Sequence, residues 1–260
     1  KNIPDGKFDP LTVEPEWMLL SYHKAACASS SRSGFDPQNA FDESIKSAWS
    51  ATSGNSGEWL SVDLGKEYNV EAVQVNFADC FTKKKRAPMK EYGGTFTQER
   101  YIEEELVRYE YRIEYSSNGI DWAPYEETQN TVFPHKLIHR RARARYIRIV
   151  FASAPYGQNF SISGLRVFGL GNNKKPSAVS GKNAERTSAT EARLSWNSQN
   201  DAMGYCIRLG IAPDKLYNSI LLYGQNDYTV TFLNKETEKY YFAVDSFNES
   251  GITKGSINEF

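Results

Sequence analysis

A chain of 260 residues is long enough for two ordinary domains, each able to bury its own core. The 31 basic and 32 acidic side chains leave a formal net charge of -1, so no global field draws the protein to nucleic acid or to an anionic membrane. No stretch approaches the roughly 18 apolar residues that a membrane span requires, which argues against membrane insertion. Sixteen Tyr, 14 Phe and 5 Trp, set among many short alternating runs, point to an all-β chain. Most of these rings are expected in cores, and the loops can offer stacking surfaces. The three cysteines, Cys27, Cys80 and Cys206, stand far apart in no metal spacing, and an odd number excludes a complete disulfide framework. A Cys27–Cys80 bridge is open, and the expectation is of unpaired, buried thiols.

In chain order, residues 1–22 carry Pro4, Pro10 and Pro15, which deny a continuous helix, and end in the apolar patch Trp17 to Tyr22. They read as a linker that packs against a neighbouring domain. Ala25 to Ser31 is a first strand. The stretch from Asn39 to Gly65 then organises the chain. A polar turn (Asp42 to Ser47) leads to Trp49, a Gly/Ser/Asn loop (Thr52 to Gly57) follows, and Trp59, Ser61 and Asp63 alternate with Leu60, Val62 and Leu64. Period-2 alternation that stops at a glycine marks a strand with one buried face. Trp49 and Trp59 are expected to hold the core.

Further alternating runs occupy Glu71 to Phe77, Arg108 to Tyr115, Ala144 to Val150 and Ile162 to Gly169. Ser116-Ser-Asn-Gly-Ile-Asp-Trp122 supplies an Asn-Gly turn and an anchoring Trp. The order Asn-Ala-Phe-Asp, Ser-Ala-Trp-Ser and Glu-Trp-Leu-Ser-Val-Asp-Leu-Gly, continued by these runs over residues 25–169, resembles the discoidin family (coagulation factor 5/8 C-type, carbohydrate-binding module family 32). The resemblance implies a jelly-roll β-sandwich over residues 23–170 with binding loops gathered at one end. Residues 78–107 depart from the family pattern as a long insertion, in which the basic block Lys83 to Arg86 faces the acidic block Glu103 to Glu105 in sequence. Loops of this length are uncommon without a purpose or disorder. The four-residue basic block reads as solvated loop charge rather than a nucleic-acid patch.

Residues 171–175 form a polar linker. From 176 to 260, short strands at Ala192 to Trp196, Gly204 to Gly210, Tyr228 to Phe232 and Tyr240 to Phe247 follow, with Trp196 early, Tyr205 next, and Leu233 ahead of Tyr240. This pattern resembles a fibronectin type III domain, a smaller sandwich of two antiparallel sheets. Leu233 to Tyr240 is one residue longer than the usual tyrosine-corner spacing, which leaves open which Tyr makes the corner.

Signals for catalysis are poor. His23, His135 and His139 are the only histidines, and no H-E-x-x-H, P-loop, G-x-S-x-G or dinucleotide fingerprint appears. Sugar recognition suits the loops better, because it needs an aromatic face for the C–H patch of a pyranose and planar polar groups for neighbouring hydroxyls. In discoidin-like modules that bind sugars the contacts come from loops at one end. By position these are Arg32 to Phe35, Thr52 to Gly57, the 78–107 insertion with its exit at Arg108, and Ala154 to Phe160. Tyr156 or Phe160 is expected as the stacking platform, with Asn159, Arg108 and Asp79 as hydrogen-bonding partners.

The resemblance also implies a structural Ca²⁺ held at the Ala40–Ser47 turn by main-chain carbonyls, Asp42 and Ser47, hard oxygen ligands of the kind that ion takes. Family members supply a Glu just before the last strand where this chain has Gly164, and Lys46 stands beside the turn as an alternative charge. Together the two units resemble the C-terminal ancillary region of secreted bacterial glycoside hydrolases, family 43 in particular. This implies a non-catalytic, carbohydrate-binding region at the cell surface, in the periplasm or outside the cell, with residues 1–22 as the stub leaving an upstream catalytic β-propeller. A purely structural spacer and a surface adhesion module are the rival expectations. The mostly polar loop tips, Arg32 to Phe35 and Ser53 to Ser56, argue against a lipid-binding version.

Overall fold

The computed structural model describes residues 16–78, 108–131, 135–155 and 158–260. It is all-β, with a 3-10 turn at Pro37–Ala40. Two compact units run over Leu19–Gly169 and Leu170–Phe260.

The first unit is a β-sandwich of eight strands: β1 (Met18–Leu19), β2 (Ala25–Ala28), β3 (Trp49–Ser50), β4 (Trp59–Phe77), β5 (Tyr109–Ser116), β6 (Ala123–Thr131), β7 (His135–Ser153) and β8 (Ser161–Leu170). Their order is β1-β8-β4-β7-β5-β6, with β2 on β4 and β3 on β8. β4 and β7 are 19 residues long each and pair antiparallel, with register shifts between Asp63/Tyr68 and Val70/Ala72. Bulges bend and twist a ladder, and here they let the same two strands serve both layers. Gly65 sits at the bend with φ of 89°, a conformation that favours glycine, and its N–H donates to Asp63 Oδ1 at 2.8 Å.

The alternation expected for residues 59–64 is present. Leu60, Val62 and Leu64 are fully buried, while Trp59 and Asp63 lie half-exposed on the other face. Trp49 is a core residue as expected, but Trp59 is not. Its parity with the half-exposed Asp63 turns it away from the face of Leu60, Val62 and Leu64. On that face the charges are partnered: Arg145 forks onto Asp63 (2.8 and 2.8 Å), Glu114 accepts from Arg112 and Arg148, and the Arg148 guanidinium lies 3.9 Å from the Trp122 ring centroid. Gly119, with φ of 75°, completes the Asn-Gly turn against the Tyr146 ring.

The second unit has a three-stranded sheet, β13-β10-β9, and a five-stranded sheet, β12-β11-β14-β15 with β16 on β14. Its strands are β9 (Asn183–Arg186), β10 (Ala192–Ser195), β11 (Gly204–Gly210), β12 (Asn218–Tyr223), β13 (Asp227–Val230), β14 (Tyr241–Asn248), β15 (Gly251–Thr253) and β16 (Asn258–Glu259). Trp196, Leu194, Ile207, Phe242 and Val244 fill the space between the sheets. The Tyr240 hydroxyl accepts the N–H of Asn234, six residues upstream, at 2.7 Å, and the Tyr205 hydroxyl likewise accepts that of Gln199 at 2.7 Å. Asp245 is 1 % exposed yet fully engaged, accepting from Arg208 (2.8 and 3.0 Å), Lys254 (3.0 Å) and the N–H of Gly255 (2.8 Å). Burial acts against its charge, but these four donor contacts hold its carboxyl below the usual range.

The expectation of buried thiols is corrected. Cys27 is free and exposed, opposite Ser61 on β4, and Cys206 is free and half-buried. Cys80 lies outside the described residues.

Candidate functional site

Strand ends decide where the loops meet. β2 leaves at Ala28 opposite Leu60, so the chain beyond it runs beside the start of β4. β3 lies against the first residues of β8, and β7 ends at Ser153 opposite Glu110 of β5. β4, after its bend, returns to the same end, since the N–H of Ala78 donates to the Ser161 carbonyl at 3.0 Å. Segments 29–35, 51–58 and 153–155 with 158–160, and Ala78 and Arg108 at the two described ends of the 78–107 insertion, therefore gather at one end of the sandwich.

Main-chain bonds stitch this rim. Arg32 N–H donates to Ser50 O at 2.8 Å, Ala51 N–H to Phe160 O at 2.8 Å, and Gly57 N–H to Phe151 O at 2.8 Å. Beneath lies an aromatic floor. Phe151 stacks on Phe160 (centroids 4.2 Å apart), Phe77 on Tyr109 (3.9 Å), and Trp49 reaches Phe151 at 6.1 Å. Polar groups inside it are mostly satisfied. Trp49 Nε1 donates to Ser30 O (3.1 Å) and Ser31 Oγ (3.2 Å), and the buried Gln158 amide donates to the Tyr109 hydroxyl at 2.9 Å. Tyr111 is the exception. Its buried hydroxyl finds no partner among the described residues, and desolvation pushes its pKa well up.

A serine-clamped carboxylate joins two of the loops. Glu58 accepts from the hydroxyls of Ser29, Ser30 (3.0 and 2.8 Å) and Ser53 (2.6 Å). Two of these hydroxyls also accept from the opposite loop or strand: Trp59 N–H donates to Ser29 Oγ (2.9 Å) and Thr52 N–H to Ser30 Oγ (3.0 Å). Burial raises the Glu58 pKa, but the hydrogen bonds from Ser29, Ser53 and Ser30, with one from the Ser53 backbone, outweigh it and leave it lowered.

The candidate residues separate in this setting. Phe160 is a correction: its side chain is 0 % exposed and stacked on Phe151, so it belongs to the core and cannot serve as a sugar platform. The Ala51 N–H bond to its carbonyl extends the β3–β8 ladder by one residue and turns its ring inward. Asn159 stands at the rim, half-buried, with its amide nitrogen on the Ala51 carbonyl at 2.9 Å. Arg108 is exposed at the foot of β5. Tyr156 and Asp79 lie outside the described residues, as does the pairing of Lys83–Arg86 with Glu103–Glu105. Glu58 was not a sequence candidate. The β2–β4 register, Ala28 opposite Leu60, places Ser30 opposite Glu58 when continued by two residues, and that register is not visible before the pairing is known.

Asp42 and Ser47 belong to a different place, a turn facing β8. Asp42 Oδ1 accepts the N–H of Ser44 (2.9 Å) and Oδ2 accepts the Ser47 hydroxyl (2.6 Å). Glu43, in the left-handed region with φ of 59°, is gripped by the Arg166 guanidinium at 3.0 and 2.6 Å, and Arg166 also donates to Gln74 at 3.1 Å. Ca²⁺ takes 6–8 oxygens, and the side-chain oxygens this turn offers are those of Asp42 and Ser47. The Asp42 and Ser47 groups are turned on one another, and a fixed cation, Arg166 rather than Lys46, sits on the neighbouring carboxylate. No group of three or more His, Cys, Asp or Glu among the described residues could hold a metal. A side chain at Gly164 would meet Asn76 Nδ2 at 2.9 Å, so a Glu there would have to displace Asn76.

Residues 24–97 match the family model of the F5/8 type C domain. Among solved structures, the chain is similar to chitosan-binding module 1 of a chitosanase/glucanase from Paenibacillus sp. IK-5 (21% identity, 58% of this chain and 99% of that one, TM-score 0.45). It is also similar to the CBM32 of AlyQ in complex with 4,5-unsaturated mannuronic acid (20%, 56% and 96%, TM-score 0.40). A third is a fucose binding module of Streptococcus pneumoniae (16%, 58% and 94%, TM-score 0.41).

Proposed function

We propose that the first unit binds an oligo- or polysaccharide through its loop end, and that the chain is a non-catalytic ancillary region of a secreted bacterial glycoside hydrolase. The observation that carries the binding reading is the convergence of the 29–35, 51–58 and 158–160 segments, with Ala78 and Arg108, on a stitched polar rim over an aromatic floor. Such a rim offers hydroxyl-matching groups held at low conformational cost. Arg108 is the exposed planar donor at its edge, and Tyr156 takes the role of platform now that Phe160 is withdrawn. The family match over residues 24–97 supports the same reading. The second unit, with its two sheets and its Tyr240–Asn234 bond, fits a fibronectin type III-like spacer. An upstream catalytic β-propeller is the partner this arrangement implies.

One observation favours a second reading, a spacer without a working sugar site: burial of Phe160 removes one of the two expected platforms. Affinity electrophoresis and glycan-array screening of the whole chain separate the two. Retention by a glycan, weakened in Arg108→Ala and Tyr156→Ala, supports binding. A folded protein retained by no glycan removes it and leaves the spacer.

A further inference from the structure

We propose that Glu58 is a positioning residue for the rim: its carboxylate sets the relative placement of the Ser29–Ser31 and Thr52–Gly57 loops that a glycan meets, without touching the glycan. The glycan part rests on the function proposed above. The loop part rests on geometry alone.

An ionised carboxylate offers two oxygens with about four lone-pair sites and no donor. Glu58 Oε1 accepts from Ser53 (2.6 Å) and Ser30 (3.0 Å), and Oε2 from Ser30 (2.8 Å) and Ser29. Three hydroxyls thus make four contacts, two on each oxygen. A backbone bond from Ser53 adds to them. The group is filled by the protein itself, so it is a poor acceptor for a ligand hydroxyl and a strong organiser of what surrounds it. Bonds to an ionised acceptor are stronger than neutral ones.

The hydroxyls it orders pass the constraint on. With its proton committed to Glu58, Ser30 Oγ presents its lone pairs to Thr52 N–H, and Ser53 Oγ to Asn55 N–H at 3.2 Å. The Ser30 carbonyl is held from the core side by Trp49 Nε1. The Ser29–Ser31 and Thr52–Gly57 loops, the first of which lies 28 residues from Glu58 at Ser30, therefore share one anionic pivot. No cation forms an ion pair with Glu58 among the described residues, and the segments packed on it, 29–35, 51–57 and 150–153, carry one charged side chain, Arg32. Its anionic form is stabilised by neutral donors, and loss of the charge weakens all of them together.

The test compares Glu58→Ala and Glu58→Gln with the wild-type chain. Amide hydrogen exchange is followed at residues 29–31 and 52–57, and affinity for the glycan found by screening is followed from pH 7 to pH 3. Loss of bonds to an ion predicts exchange at least about tenfold faster in those two loops for Glu58→Ala, with β4 and β7 unchanged, and a comparable fall in affinity. Glu58→Gln keeps the shape and part of the bonding, and should fall between the two. Wild-type affinity should hold to below the ordinary carboxylate range and then drop as Glu58 protonates. The Gln variant should lack that step, a readout that a merely structural role would not move. Unchanged loop exchange in Glu58→Ala overturns the proposal. So does a loss of affinity in Glu58→Gln with both loops as protected as in wild type, because Glu58 would then be a ligand contact. If Glu58→Ala does not fold, Glu58→Gln carries the same two outcomes. If the wild type binds no glycan, the functional reading fails and the exchange data alone decide the clamp.

Discussion

Replacing Phe160 by alanine separates a core ring from a sugar platform. A platform projects into solvent, so its truncation would abolish binding and leave stability nearly untouched. Here the ring is fully buried, stacked at 4.2 Å and 21° on Phe151, which in turn stacks on Trp49. Truncation therefore opens a cavity whose neighbours are themselves locked rings, so collapse is limited. Buried Phe→Ala changes cost about 3–5 kcal/mol, from lost transfer free energy and the residual cavity. For a unit of this size each kcal/mol moves Tm by about 2–4 °C, so Phe160→Ala should lower the first unit's Tm by roughly 6–20 °C. Urea unfolding followed by tryptophan fluorescence, with the second unit's transition as an internal reference, measures the same loss as a lower midpoint. A variant that unfolds like wild type, with glycan binding abolished, would refute the placement of Phe160 in the core.

Two further predictions concern ions. Millimolar Ca²⁺ or a chelator should leave the first unit's Tm unchanged, and Arg166→Ala should cost about 1 kcal/mol, the scale of a part-exposed pair, through a released, left-handed Glu43. A rise of several degrees with Ca²⁺ in the wild type would contradict the fit of donors described here, since ligand at 100 times its Kd adds about 2.7 kcal/mol. In the second unit, the lowered pKa of Asp245 means that the stability it contributes is present above the ordinary carboxylate range and is lost as pH falls through its folded value. Asp245→Asn leaves Arg208 without its carboxylate and should destabilise by about 3–5 kcal/mol at pH 7, with a flattened acid limb in denaturation followed by circular dichroism.

The layered architecture was legible because strand parity is a local property: Leu60, Val62 and Leu64 declare their buried face without help from the rest of the chain. The loops that meet at one end were legible only through the family resemblance, since which strand ends are neighbours depends on pairings far apart in sequence. Phe160 was misread for a physical reason. A ring beside Gln158 and Asn159 looks like a loop aromatic, but one main-chain bond to Ala51 continues the β3–β8 ladder and turns it inward. Trp59 was misread by the opposite error, a large ring assigned to the core against its own parity. Glu58 was invisible because two of its partners, Ser29 and Ser30, become its neighbours only when β2 lies on β4. The Ca²⁺ expectation at the Asp42 turn came with the family resemblance, and only the fold shows Arg166 of β8 on the adjacent Glu43.

The central claim, a glycan site at the loop end of the first unit, is tested most directly by ¹H–¹⁵N chemical-shift mapping of the whole chain against glycans that retain it in screening. The account predicts saturable shifts at Arg32–Phe35, Thr52–Glu58, Arg108 and 153–160, and none across the outward face around Trp122 and Arg148. Shifts confined to that outward face or to the second unit, or no binding by a folded chain, would contradict it.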